Sequence, residues 1–181
     1  EILQTKNFII PSSSFHALEI NGSYLQPTFE KVFTVLSKGY WLKPWTEILQ
    51  LQCENPDLKP NEILSTEGDW QNLADLSPFV PLVSLPLEGS LPKRIQTVLS
   101  ALQEILTLQP LSHTPLFVER LSQLFAFRPL NPERQPHDSD LADMIIMATV
   151  QPYASFLATD RFVREALDRL GFGAKVYSAR K

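Results

Sequence analysis

Apolar positions along the chain fall into short stripes punctuated by proline and glycine. Asn7-Phe8-Ile9-Ile10 is an apolar run cut off by Pro11, which predicts a buried strand. The triplet Ser12-Ser13-Ser14 is rich in capping hydroxyls and precedes Phe15 to Ile20, a predicted helix that Asn21-Gly22 ends. Phe29, Val32, Phe33 and Leu36 recur at offsets of three and four, predicting a helix over Thr28 to Ser37 that Gly39 stops. Pro44 suits the first turn of a helix from Trp45 to about Gln52, with Ile48, Leu49 and Leu51 as its apolar surface.

The texture changes over residues 54–92. Six prolines (Pro56, Pro60, Pro78, Pro81, Pro86 and Pro92) break any long periodicity, and seven acidic residues face Lys59 as the one countercharge before Pro92. This reads as an acidic, proline-rich insertion on a single domain spanning 1–181. Periodicity then resumes. Ile95, Val98, Leu99, Leu102, Ile105 and Leu106 mark one amphipathic helix, and Phe117, Leu121, Leu124 and Phe125 mark a second behind Thr114-Pro115. Pro129 to Pro136 is a broken polar loop. Ser139 can cap a helix bearing Leu141, Met144, Ile145 and Ala148; Pro152 ends it. Ser155 to Ala158 predicts a buried strand, Phe162 to Leu170 a helix, and Lys175 to Ser178 a final strand. A helix–strand–helix–strand order requires crossovers, so the predicted class is α/β, helix-rich, with a parallel sheet flanked by helices.

Composition narrows the field. The chain has 181 residues, 44% hydrophobic and 20% charged, which excludes disorder, collagen-like repeats and a disulfide scaffold. Net charge is −4, so a contact with a polyanion must be local. Residues 160–181 hold six basic and three acidic side chains, which gives the carboxyl end the opposite sign. The single cysteine, Cys53, cannot form an internal disulfide and fits a reducing cytoplasm. No apolar run reaches the roughly 20 residues that span a bilayer, and no leader is visible, so the expected location is cytoplasmic with no membrane partner.

Candidate chemistry gathers in the acids near the carboxyl end. On a helix, Asp140 and Asp143 lie about 60° apart, beside the apolar stripe. Asp160 follows a predicted buried strand, and ligands of open α/β sheets bind at that edge. Carboxylates brought together there repel one another and call for a cation; a set without histidine favours Mg2+ or Mn2+ over zinc. Local readings stay open for each: Asp140 suits the first turn of a helix, Asp160 can cap the next one, and Glu19 can be a solvated helix residue. His16, three residues before Glu19, can orient that carboxylate, touch a phosphate or make a local hydrogen bond. Arg161 and Arg164 can hold phosphates or form a solvated helix face. Trp41 and Trp45 offer either helix packing or a stacking surface.

Two segments resemble the PIN-domain family of metal-dependent nucleases. Phe8-Ile9-Ile10-Pro11-Ser12-Ser13-Ser14-Phe15-His16-Ala17-Leu18-Glu19-Ile20 resembles that family's strand, Ser/Thr-rich cap and helix, with Glu19 on the active-site glutamate. Asp138 to Ile145 followed by Gln151 to Arg161 resembles the helix bearing the third acid and the strand ending in Thr-Asp, with Asp143 and Asp160 on the acidic positions and Asp140 as a helper. The resemblance implies a PIN-like three-layer α/β/α fold with a central parallel sheet. It also implies an Mg2+- or Mn2+-dependent endoribonuclease using Glu19, Asp143 and Asp160 as metal ligands, with single-stranded RNA as substrate. Arg161, Arg164 and His16 would then lie at the substrate. Toxin members of the family imply an inhibitory protein partner, and a homodimer is compatible with it. The family's first strand carries an aspartate that has no counterpart, since Asp57 is the first aspartate in the chain. The chain opens on Glu1, so that strand is expected upstream. Its absence would instead give a catalytically impaired PIN-like binding or assembly module.

Overall fold

Ser13 holds extended backbone, and its Oγ accepts the His16 N–H at 3.2 Å. That bond satisfies one of the orphan donors that open every helix, so helix α1 begins behind it at Ser14 and runs to Ile20 (Ser14–Ile20). These features belong to a computed structural model that describes residues 9–108, 112–127, 138–159, 161–172 and 176–178. Helix α2 (Gln26–Ser37) has Pro27 in its first turn and stops at Lys38, whose left-handed φ of 53° is followed by Gly39 at 83°. The apolar stripe of α2 is only partly covered: Phe33 and Leu36 are half-buried, whereas Phe29, Val32 and Val35 are 40%, 48% and 75% exposed.

The chain divides into two compact units, 1–48 with 58–75 and 49–57 with 76–181. The first division falls inside helix α3 (Trp45–Glu54). In the first unit, strands β1 (Trp41–Leu42) and β2 (Leu64–Ser65) pair antiparallel, with Trp41 opposite Ser65. Ser12 makes an isolated parallel bridge to Trp41: its N–H donates to Tyr40 O at 3.0 Å and its carbonyl accepts the Leu42 N–H at 2.7 Å. Phe15, Ala17, Ile20, Leu42, Trp45 and Ile63 are buried. An aromatic chain lies beside them, with His16 4.2 Å from Phe33, Phe33 6.0 Å from Trp70, and Trp70 edge-on to Trp41 at 4.9 Å. Trp45 donates its indole N–H to Asp75 O at 3.0 Å. Both tryptophans singled out in the sequence therefore have packing roles.

The second unit is helix on helix. A 3-10 turn (Ser77–Phe79) leads into α4 (Val80–Val83), then α5 (Leu91–Ile105), α6 (Leu116–Ala126) and α7 (Asp138–Val150). Helix α6 packs against both α5 and α7, and Phe117, Leu121, Leu124 and Phe125 are wholly buried on it. Phe79 meets Phe117 edge-on at 5.9 Å. Gln52 is 2% exposed and fully used: Oε1 accepts the Phe117 N–H at 2.8 Å, Nε2 donates to the Tyr153 hydroxyl at 2.7 Å, and the carbonyl meets His113 Nε2 at 2.8 Å. Strand β3 (Leu157–Thr159), helix α8 (Arg161–Arg169) and strand β4 (Val176–Ser178) form a parallel crossover, with Leu157 opposite Val176 and Thr159 opposite Ser178.

The three-layer α/β/α architecture with a central parallel sheet is not what forms. Among the described residues there are eight α-helices and two sheets of two strands each, one antiparallel and one parallel. Seven of the helices fall close to their predicted positions, α4 and the 3-10 turn before it lie in the stretch read as an insertion, and β3 and β4 pair in parallel across α8. The sheet fails on strand length. Among the described residues no strand exceeds three residues, and Ile9 and Ile10, the described part of the first predicted strand, carry no strand structure. An apolar run of four cut by proline is long enough for an extended link and too short to decide pairing. Residues 54–92 also contribute to interiors: Leu58, Ile63 and Ala74 are buried in the first unit, Phe79 and Leu82 in the second.

Two substitutions probe these interiors. Gln52→Leu keeps the volume but strands the Phe117 N–H and the Tyr153 hydroxyl; chemical denaturation is expected to show a loss of about 3 kcal/mol. A methyl at Gly68 would be driven into the Trp41 ring. Gly68→Ala is therefore expected to cost about 1–3 kcal/mol and to change the near-ultraviolet circular dichroism of the Trp41–Trp70 pair.

Candidate functional site

Helix α7 places two of the expected acids. Asp140 falls in its first turn and is 7% exposed, and Asp143 lies less than a turn further on and is half-buried. Both belong to the second unit. Strand β3 of the same unit ends at Thr159, immediately before Asp160 in the chain; Asp160 itself lies outside the described residues. Glu19 is exposed on α1, in the first unit. Among the described residues no three His, Cys, Asp or Glu side chains gather as a metal-holding group. What is brought together is thus the pair on α7, in the same unit as the strand that leads into the third acid.

Charge around that strand is mixed. Arg161 is exposed at the start of α8. Arg164 Nε lies 3.7 Å from Asp168, and Arg169 reaches Glu165 at 2.6 Å; both pairs are exposed and join positions i and i+4. Such pairs contribute only tenths of a kcal/mol. Buried Val163, Ala166 and Leu167 hold the opposite face of α8, which leaves the arginines toward solvent.

His16 is held by local contacts in the first unit. Its Nδ1 is 3.0 Å from Ser13 Oγ, its ring lies against Phe33, and no bond to Glu19 forms. Ser13 Oγ accepts the backbone N–H of His16, so its own proton is available to Nδ1. Burial lowers the His16 pKa from 6.5 to about 4, which keeps the ring neutral. Partial desolvation raises the Glu19 carboxyl. The Cys53 thiol is raised by burial and by neighbouring Glu54, the opposite of an activated nucleophile. Of the histidines, His137 lies outside the described residues, and His113 serves the Gln52 carbonyl.

The sequence reading missed Arg94. It is 9% exposed, and its Nε has no partner. A signal was available: stepping back four residues at a time from Leu102 and Val98 arrives at Arg94, on the buried stripe of α5.

The sign of the His16 shift fixes a pH dependence. A depressed folded pKa means that the unfolded chain takes up a proton the native ring refuses. The associated stability is complete above pH 6.5 and is lost as pH falls toward 4. The loss is about 3 kcal/mol. Glu19 works in the opposite sense around and above pH 4.5, so the parent-minus-variant difference isolates the histidine. His16→Gln is expected to flatten the acid limb of stability against pH, measured by urea denaturation between pH 7 and 4.

Comparison with known proteins finds no family model, no curated protein and no solved structure that matches the chain.

Proposed function

We propose that this chain is a metal-dependent phosphodiester hydrolase acting on RNA, with its chemistry at the carboxyl end of β3. The observation that carries the reading is the parallel crossover β3–α8–β4, whose first strand runs directly into Asp160, in the same unit as Asp140 and Asp143 on α7. The carboxyl edge of parallel strands is where α/β crossovers receive ligands. The donor set, Asp140, Asp143 and Asp160, is all carboxylate with no histidine or cysteine, and it fits Mg2+ or Mn2+. When bound, such an ion supplies an acidified water and neutralises charge on the phosphoryl group. Arg161, exposed at the start of α8, and Arg164, held by a weak exposed pair, are free to bind backbone phosphates. Glu19 belongs to the first unit and is not part of this assignment.

A second reading, a binding and assembly module, is favoured by α2. Phe29 and Val32 with Leu25 form an exposed stripe along one helix face, and Tyr24 and Val35 widen it. Under a two-fold axis the same apolar positions would meet in a second copy of the chain.

The two readings separate experimentally. Incubation of the full chain with single-stranded RNA and Mn2+ is expected to give cleavage that Asp143→Asn and Asp160→Asn each reduce at least a hundredfold, with circular dichroism unchanged. Cleavage by Asp143→Asn at the parent rate would remove the site assignment, and no cleavage by the parent would remove the hydrolase. The assembly reading predicts that the parent sediments as a dimer and that Val32→Asp sediments as a monomer.

A further inference from the structure

Helix α2 is built inside out. At 100° per residue Val35, Thr28, Val32 and Phe29 share an arc of about 120°, and all four are exposed. The other side of the helix carries its polar residues. Ser37 is buried there, and Gln26 and Glu30 are half-buried and joined by a 2.9 Å hydrogen bond. Local contacts prevent the helix from rolling to hide its apolar arc. Phe33 lies against His16 and Trp70. Gln26 Oε1 accepts the Gly22 N–H at 3.2 Å, and the Leu36 carbonyl accepts the Ile10 N–H at 3.1 Å.

The bare surface extends past both ends of the helix. Tyr24, just before it, is 89% exposed. Ile9 and Tyr40 are also exposed, and the backbone bonds of Ile10 to Leu36 and of Tyr40 to Ser37 hold them at the carboxyl end. Of the ten large hydrophobic residues exposed among the described residues, seven thus lie on α2 or beside it. At these exposures they present roughly 600 Å² of apolar surface, the upper end of what a monomer leaves bare. Two copies meeting there would cover about 1,200 Å², where stable interfaces begin.

The chemistry of the face selects its occupant. Lys31 is the one exposed charge within α2 and lies at the rim of the arc, so nothing calls for a charged ligand. The complementary surface is apolar, nearly free of charge and of the same length, and a second copy supplies it. Direction follows from charge. A parallel pair would align the two helix dipoles and set Lys38 against its own copy. An antiparallel pair opposes the dipoles and, centred on Val32, moves the Lys38 positions about 18 Å apart.

We infer that α2 packs antiparallel against α2 of a second copy, with the two-fold axis at Val32. The inference rests on the assembly reading and adds the pairing that reading leaves open. Val32 is midway between Tyr24 and Tyr40, so the two halves of the patch cover each other only about that point. Phe29 then meets the partner subunit's Val35, and Tyr24 meets the partner subunit's Tyr40.

The test uses the full chain with Cys53→Ser, so that an introduced thiol is the only one. Val32→Cys and Tyr24→Cys, both at exposed positions, are each oxidised with diamide and followed on non-reducing gels, beside sedimentation of the parent. A disulfide requires Cα atoms within about 7 Å. Position 32 meets that condition at the axis; the two copies of position 24 lie about 24 Å apart. Val32→Cys is therefore expected to cross-link about tenfold faster than Tyr24→Cys, or more. If the parent dimerises but Tyr24→Cys cross-links as fast as Val32→Cys, or neither cross-links, the antiparallel pairing is overturned and assembly through another arrangement stands. A parent that sediments as a monomer up to about 0.1 mM removes the pairing and the assembly reading together.

Discussion

Gln52 uses three polar atoms on three separate segments: the loop before α6, the first turn of α6 and the turn after α7. A buried amide carries a desolvation cost that only complete satisfaction offsets. Each of its bonds therefore fixes a position as well as adding stability. The bond from Phe117 N–H satisfies an orphan donor at the start of α6 and so acts as a cap supplied from 65 residues away. Because α6 packs against both α5 and α7, the place where it starts sets the register of the helical layer. The same amide, through Tyr153, ties down the turn that feeds β3. The carboxyl-end crossover thus inherits its position from a glutamine on α3.

The first unit is organised by rings more than by a polar hub. His16 lies between Ser13 and Phe33 and transmits the capping of α1 to an aromatic chain reaching Trp41. Ser12 and Ser13 are both buried, one in a backbone bridge and the other as a cap. Three serines in a row resemble a site for chemistry, yet the Ser13 hydroxyl is taken up by the helix cap and the Ser12 backbone by the bridge to Trp41. The neutral histidine follows from the same arrangement, since a charged ring on Phe33 would have lost its water without gaining an anion.

Helices were the legible part of the sequence, because their signal repeats over many residues. Val98, Leu102, Leu121, Leu124 and Ile145 fall where the 3.6-residue period puts them, and all are buried. Strands of two or three residues hold too little pattern to be read, and the parallel sheet was inferred from order alone. Element order alone does not specify a sheet: β3 and β4 pair over three residues across α8, and helix packing takes the place of a central sheet. The apolar stripe of α2 was legible as a helix, but its exposure was not, because periodicity reports that a face is apolar and not what covers it. Gln52, His113 and Tyr153 were invisible together, since a polar contact across 101 residues leaves no local trace. For the candidate site, the sequence supplied which residues are acidic and their order; the pairing of Asp140 with Asp143 on one helix is the part of that reading visible in the described residues.

Two helix amino termini in the second unit carry opposite charge, and the contrast bears on where ligands belong. Helix α7 opens with Asp138 and Asp140, the sign that its dipole favours, so a carboxylate at position 140 is already accounted for by the helix itself. Asp143 lies beyond the first turn and gains little from that field. The case for a cation near α7 therefore rests on Asp143 and on the acid that follows β3, with Asp140 as support. Helix α5 opens with Lys93 and Arg94, the sign that its dipole opposes, and nothing in the first turn compensates. Where a local rule is kept, structure alone explains the residue. Where it is broken, as at α5, the helix itself does not explain the residue, and Arg94 Nε stays buried without an acceptor.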